Sequence, residues 1–286
     1  MISRFTLEEF KEAIRRLGIL KDACLLTTTS FYQLGSLVGE YDRNSYHEVL
    51  GNALLDTVGP EATLVANAYT SQVGRYGVPF VWEGTETTAG LFSKWMLCQP
   101  ERARSLHPLQ SMVGIGPLAG RICDVVSKMN YGVGTPIDRM LDLEQAFILR
   151  IGIEPYFNAF THHSEATVGV PYFYVKTLDL SVFKNGCEVP GPWFGHVKYL
   201  HFDVNYDLKP LGRAVESAGL VRRIRLGAGE IVLIRAQPYV QLVRKMLIED
   251  PFFLLGGMPD IPFGVIPRDG VSWGRDGLRI DRSSET

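Results

Sequence analysis

No stretch of this chain is apolar for long enough to cross a bilayer. Runs such as Ile231 to Ala236 stop far short of the ~20 residues that a membrane-spanning helix needs. No block of Lys and Arg is present either. With 29 basic against 31 acidic residues the formal charge is −2, which lacks the electrostatic footprint of a nucleic-acid binder. Cysteine is scarce: Cys24, Cys98, Cys123 and Cys187 lie far apart, with no Cys-x-x-Cys pair and no histidines at zinc spacing. They read as reduced thiols of a cytoplasmic protein, and no metal site is expected. The N-terminus lacks a basic segment followed by an apolar core. Met1 leads instead into Phe5-Thr6-Leu7-Glu8-Glu9-Phe10-Lys11, an acidic amphipathic opening, so no signal peptide is expected. The chain also lacks a Walker lysine and any internal repeat.

What is there suffices for one large core: 286 residues at 46% hydrophobic content. Thr6 with Glu9 fits a capping box, and Leu7, Phe10, Ile14 and Leu17 recur at helical spacing until Gly18. The stretches 23–28, 63–68, 146–153 and 231–234 read as buried strands. Helices are predicted over 45–58, 91–98, 117–129, 208–218 and 236–247. This alternation predicts an α/β layered single domain with a mainly parallel central sheet flanked by helices. The segment from Ser71 to Gly90 loses periodicity and reads as a long surface loop. Residues 1–255 form the expected domain. Residues 256–286 are a Gly/Pro-rich extension whose Phe263, Val265, Ile266, Val271 and Trp273 predict docking on the same domain or a neighbouring subunit.

Three segments carry candidate chemistry. In Asn158-Ala-Phe-Thr-His-His-Ser-Glu165, just after a buried strand, a helical turn would put His162 and Glu165 on one face. A histidine near a helix N-terminus keeps a neutral, proton-accepting imidazole, which suits a general base; the alternative is that the two histidines cap the helix or bond buried carbonyls. Arg104-Ser-Leu-His107-Pro-Leu-Gln-Ser111, followed by Gly114, Gly116 and Gly120, offers close backbone approach to a ligand ahead of a helix, although the glycine spacing is one residue too long for a dinucleotide fingerprint. The third segment, Thr27 to Gly39, follows a strand with hydroxyls and two glycines, and reads either as a phosphate-binding turn or as an ordinary polar loop.

In this order the segments resemble the antibiotic N-acetyltransferase family, which includes the aminoglycoside 3-N-acetyltransferases. The resemblance runs from about Leu17 to Leu255. It is carried by Arg104-Ser-x-His107-Pro-x-x-Ser111 with its glycines, Tyr131-Gly-x-Gly-Thr-Pro136 with Arg139-Met-Leu141, and His162-x-x-Glu165 with Val170-Pro171. It implies that acetyl-coenzyme A is the co-substrate, that His162 is the base and that Glu165 is its electrostatic partner. It further implies that Ser30, Phe31, Leu34, Gly35, Thr70, His107 and Ser111 lie near the coenzyme. The chain departs from the family where Thr28-Thr29-Ser30 replaces a His-Ser-Ser run and where Thr85-Glu86-Thr87-Thr88-Ala89-Gly90 replaces Thr-Pro-Ser before a glycine.

The acceptor would then be an amine of an amino sugar or an aminoglycoside-like molecule. Low net charge and the neutral residues Tyr69 and Trp82, with only Glu83 and Glu86 nearby, favour a single sugar ring over a polycation. Two other readings stand beside this one. Ser111, His162 and Glu165 are the residue types of a serine hydrolase triad. A non-catalytic binding module, docking a partner through the apolar tail, is the other.

Overall fold

The computed structural model describes residues 3–39, 45–124, 126–199 and 204–259, together with the backbone of 271–273 and 279–281. Its centre is a seven-stranded sheet, whose strands we label in chain order: β1 Cys24–Thr29, β2 Thr63–Tyr69, β3 Ala103–Arg104, β4 Gln110–Ile115, β5 Ala146–Ile151, β6 Val221–Leu226 and β7 Gly229–Arg235. Across the sheet the order is β6-β7-β5-β1-β2-β4-β3.

Only β5 with β1 and β1 with β2 pair in parallel, and the other four pairs are antiparallel, so the sheet is mixed rather than mainly parallel. For two of those four pairs the reason lies in the connections. Five residues join β3 to β4 and two join β6 to β7, and returns so short can only make hairpins, whereas parallel neighbours need a long crossover. Apolar content did not distinguish the two arrangements, because strands buried on both faces read alike in either.

Helices cover both faces. Leu7–Arg16, Tyr46–Val58 and Leu91–Leu97 bury Phe10, Ile14, Leu50, Leu54, Phe92 and Met96 against Leu25, Leu64, Val113, Leu149 and Leu233. The first of these starts at a full capping box: Thr6 Oγ1 accepts from Glu9 N at 3.1 Å while Glu9 Oε2 accepts from Thr6 N at 2.7 Å. On the other face Ala159–Val168, Lys209–Ser217 and Ala236–Glu249 pack Phe160, Leu211, Val215, Tyr239 and Val243 onto Leu26, Val65, Ile148 and Val232. Each such fully buried side chain is worth about 1.5–3 kcal/mol of transfer free energy, so the two layers fix the sheet between them.

Two sequence expectations change. The segment 71–90 is not a continuous loop: it contains the helix Ser71–Tyr76 and the strand Phe80–Val81, which pairs with Val182–Lys184. The helix predicted over 117–129 is confined to Ala119–Cys123. Beyond it the chain runs beside the hairpin Phe173–Leu178/Trp193–Lys198. There Phe194 N donates to Lys128 O, and Asn130 accepts from His196 N at 2.7 Å while donating to His196 O at 3.1 Å. These bonds replace the helical ones. Of the extension, Val271–Trp273 and Arg279–Asp281 pair antiparallel, while Phe263, Val265 and Ile266 lie outside the described residues. Among the described residues no helix is long and apolar enough to cross a membrane.

Candidate active site

The carboxyl ends of the parallel strands β1, β2 and β5 meet the amino end of antiparallel β4 along one edge of the sheet. Alternation assigns side chains there to faces. Leu26, Val65, Met112 and Ile148 belong to the core under the helix Ala159–Val168; two residues toward the edge from Leu26, Met112 and Ile148, and four from Val65, the same face carries Thr28, Gln110, Arg150 and Tyr69. The apolar face therefore turns polar as it reaches the edge.

Arg150 builds the turn out of β5. Its guanidinium is buried and donates from Nε and Nη2 to Glu154 O at 3.1 and 2.7 Å. The Glu154 carboxylate in turn accepts from Tyr156 N at 2.9 Å and Phe157 N at 2.6 Å. Asn158 then caps the helix, its Oδ1 accepting from Phe160 N at 2.9 Å and Thr161 N at 3.3 Å. Tyr239, from the last long helix, locks this corner by donating to Tyr156 O at 2.8 Å and meeting the Thr161 hydroxyl at 2.8 Å.

On this helix the two adjacent histidines part company. His163 is fully buried with Nε2 3.0 Å from Arg244 Nη2. Burial and that cation push it down to about 4, so it stays neutral and structural. His162 keeps 18% of its side chain exposed, and its Nδ1 lies 2.6 Å from Glu165 Oε2. Glu165 is 1% exposed. Its second oxygen, Oε1, accepts from Tyr172 Oη at 2.9 Å and Tyr206 Oη at 2.8 Å. Burial, reinforced by the Glu165 charge, pushes both phenols far above the ordinary tyrosine range, so they act as donors. A carboxylate only accepts, so His162 holds its proton on Nδ1 and leaves the Nε2 lone pair free. Phe157 edges onto the imidazole at 4.8 Å, with Tyr131 at 5.7 Å and Tyr206 at 6.0 Å.

Phe157 and Tyr206 also line a cavity of about 820 Å³ whose other walls are Glu154, Tyr156, Asp207, Leu208, Lys209, Gly212, Arg213 and Glu216. Three carboxylates from two segments more than 50 residues apart thus meet at this cavity, Glu216 paired with Arg223 Nη2 at 2.6 Å, with two cations on the same rim. Among the described residues no group of three metal-ligating side chains assembles.

The remaining sequence candidates are dispersed. Phe31 and Leu34 are fully buried in the opposite core layer, where Phe31 meets Phe10 and Phe92 edge to face. Gly35, at φ +108°, lets Ser3 O approach to within 2.3 Å of where a Cβ would sit, so its glycine serves chain packing. Ser30 ends β1 at the site's edge, its N–H donating to Ile151 O at 2.7 Å. Thr70 is buried, with its hydroxyl on Pro108 O at 2.5 Å. His107 is 2% exposed and pushed down to about 4 by burial. Its Nδ1 accepts from Gln110 N at 3.1 Å, which leaves Nε2 to donate to Phe194 O at 3.0 Å. Trp82 Nε1 donates to Arg104 O at 2.8 Å, and the exposed Glu83 accepts from Asn185 N at 2.5 Å, both in the small sheet built on Phe80–Val81.

Ser111 is not a nucleophile for His162. It alternates onto the face of Val113, opposite the site helix, donates to Ala68 O at 2.8 Å and accepts from Arg104 Nε at 3.2 Å with no exposed surface. Gln110–Ile115 is a sheet strand, and Gly116, at φ +118°, admits Ala62 O to within 2.3 Å of a would-be Cβ. Phe157, Tyr172 and Tyr206 belong to no motif in the sequence, and Gln110 and Tyr131 stand there only inside longer ones. The available signal was the polar interruption of otherwise apolar strand faces at Tyr69, Gln110 and Arg150.

Comparison with known proteins identifies the family. The family model described as aminoglycoside 3-N-acetyltransferase matches residues 26–248. An aminoglycoside N(3)-acetyltransferase III from Salmonella sp is 27% identical over 196 residues, 64% of this chain and 68% of that protein. The crystal structure of aminoglycoside acetyltransferase AAC(3)-Xa superposes with a TM-score of 0.72 at 20% identity, covering 86% of this chain and 93% of that one. AAC-IIIb, solved as a binary complex with CoASH, gives 0.71 at 18% identity, covering 90% and 100%. At these identities the structural likeness is one of fold.

Proposed function

The chain belongs to the aminoglycoside 3-N-acetyltransferase family, and from that premise we propose that it transfers an acetyl group from acetyl-coenzyme A to an amine on an amino-sugar ring, as in an aminoglycoside, with His162 as general base. The observation that carries this reading is the 2.6 Å contact between His162 Nδ1 and Glu165 Oε2, beside a cavity large enough for a sugar. An amine is mostly ammonium near neutral pH and cannot attack a thioester until a proton leaves. Once that proton has gone to solvent and the neutral amine attacks, the free Nε2 of His162 takes the second proton that the nitrogen sheds. Glu165, held by two tyrosines, fixes the ring's tautomer and stabilises the imidazolium that forms.

Glu154 and Asp207 bring carboxylates to this wall beside Glu216, which Arg223 pairs at 2.6 Å, and the charge left over attracts an ammonium-bearing acceptor. Lys209 and Arg213 on the same rim limit the net field, which suits an acceptor with few ammonium groups. Tyr156, Phe157 and Tyr206 offer flat apolar surface to a sugar ring.

The test is thiol release from acetyl-coenzyme A with a panel of aminoglycosides and single amino sugars, run with wild type and His162→Ala. Turnover with at least one acceptor, reduced by about 10²–10⁴ in the variant, is expected. No turnover with any of them, or an unaffected variant, overturns the proposal.

A further inference from the structure

The tetrahedral intermediate of acyl transfer carries a negative oxygen, and the base that takes the amine's proton cannot also stabilise that charge. A second group must donate to it. The edge described above holds one. Tyr131 is 5% exposed and its ring centroid lies 5.7 Å from that of His162. Asn130 holds its backbone, with Oδ1 accepting from Tyr131 N at 3.0 Å while clamping His196 of the neighbouring hairpin. Its Oη accepts from Gln110 Nε2 at 3.2 Å and lies 3.4 Å from Tyr69 Oη, too long for a strong bond.

A hydroxyl that accepts one hydrogen bond is a better donor for the next, since successive bonds polarise one another. The same corner contains buried polar atoms with no protein partner, namely Gln110 Oε1 beside Tyr131 and, two strands away on the same face, Thr28 Oγ1. Buried polar atoms are nearly always paired, so the orphan Gln110 Oε1, on the side chain that also holds the Tyr131 hydroxyl, marks a place where a ligand's polar group belongs.

We propose that Tyr131 is a catalytic residue whose hydroxyl donates to the thioester carbonyl oxygen as it becomes an oxyanion, with Gln110 and Tyr69 as its positioning residues. The proposal rests on the acyl-transfer reading above. The amine lone pair attacks the thioester carbon, forming the C–N bond, and the carbonyl π pair moves onto oxygen, where the Tyr131 O–H meets it. His162 removes a proton from nitrogen. The oxygen pair then re-forms the carbonyl, the C–S bond breaks with its electrons on sulfur, and the imidazolium protonates the departing thiolate, leaving an amide and the free thiol of coenzyme A. Tyr131 starts and ends as a neutral phenol. Burial, with Tyr69 and the Glu165 charge close by, holds it well above the ordinary tyrosine range, which keeps it a donor rather than an acid that ionises.

The experiment is Tyr131→Phe, which keeps the ring that packs in the core and removes only the hydroxyl. Removing one oxyanion donor typically lowers kcat by about 10²–10³. That loss is expected with KM for both substrates within threefold of wild type and coenzyme A binding by calorimetry unchanged. Gln110→Leu should give a smaller fall in kcat with the same split. A kcat for Tyr131→Phe within threefold of wild type overturns the assignment, as does a loss that appears mainly in KM. Wild-type protein that acetylates nothing would instead sink the acyl-transfer reading itself, so the two failures are told apart.

Discussion

Replacing Glu165 by Gln is almost isosteric, yet it sets three hydrogen bonds against one another. In the wild type Oε1 accepts from two tyrosines at 2.9 and 2.8 Å, and Oε2 accepts from His162 Nδ1 at 2.6 Å. A carboxamide has one oxygen and one NH₂ group. If its oxygen faces Tyr172 and Tyr206, the NH₂ confronts the Nδ1–H of His162, and the clash is relieved when the imidazole moves its proton to Nε2. If the amide turns over, His162 keeps its tautomer, but both tyrosine protons lose their acceptor. At about 1–3 kcal/mol for each unsatisfied buried donor, the second arrangement costs roughly 2–6 kcal/mol. The first costs little beyond a change of tautomer, so it should win. It leaves Nε2 protonated and unable to accept from the amine.

The expected loss in kcat is therefore the full contribution of a positioned base, about 10²–10⁴, or roughly 3–5 kcal/mol of barrier at 1.36 kcal/mol per factor of ten. Two measurements check it. Thiol release under saturating acetyl-coenzyme A gives kcat, and imidazole ¹⁵N shifts of His162 report which nitrogen carries the proton. A Gln variant with kcat within fivefold of wild type, or with the proton still on Nδ1, would refute the reasoning.

Ser111→Ala should retain acyl transfer within about tenfold while lowering stability by about 1–3 kcal/mol, because it strips Arg104 Nε of its acceptor in a buried place. A collapse of turnover in a variant that still folds would restore the hydrolase reading. Acid should destabilise the fold through its buried histidines. His107 and His163 are held at about 4 against an unfolded value near 6.5, so their contribution is complete above the unfolded value and is lost as pH falls from there toward 4. Each should cost about 2 kcal/mol by pH 5, before most carboxylates titrate. Urea unfolding at pH 7 and pH 5 gives the difference, and two values within 1 kcal/mol would contradict it.

Local signals in the chain determined its elements and its principal chemical pair. The Thr6–Glu9 box specifies a helix start through two reciprocal bonds three residues apart. Asn158 does the same for the site helix, and once that helix exists its periodicity brings His162 and Glu165 onto one face. Such features depend only on spacing along the backbone. Tertiary structure decided what spacing cannot encode. Hairpin returns made the sheet mixed, and strand alternation sent Ser111 to the face away from His162 although the two share a residue pattern with hydrolases. Contacts across 31 to 66 positions clamped Asn130 to the hairpin and set Gly132 N against the imidazole that faces inward, leaving its neighbour His162 against Phe157, a wall of the cavity. Glu154, Asp207 and Glu216 became one acidic wall for the same reason: charge acts through space, and only the folded chain fixes which charges are close.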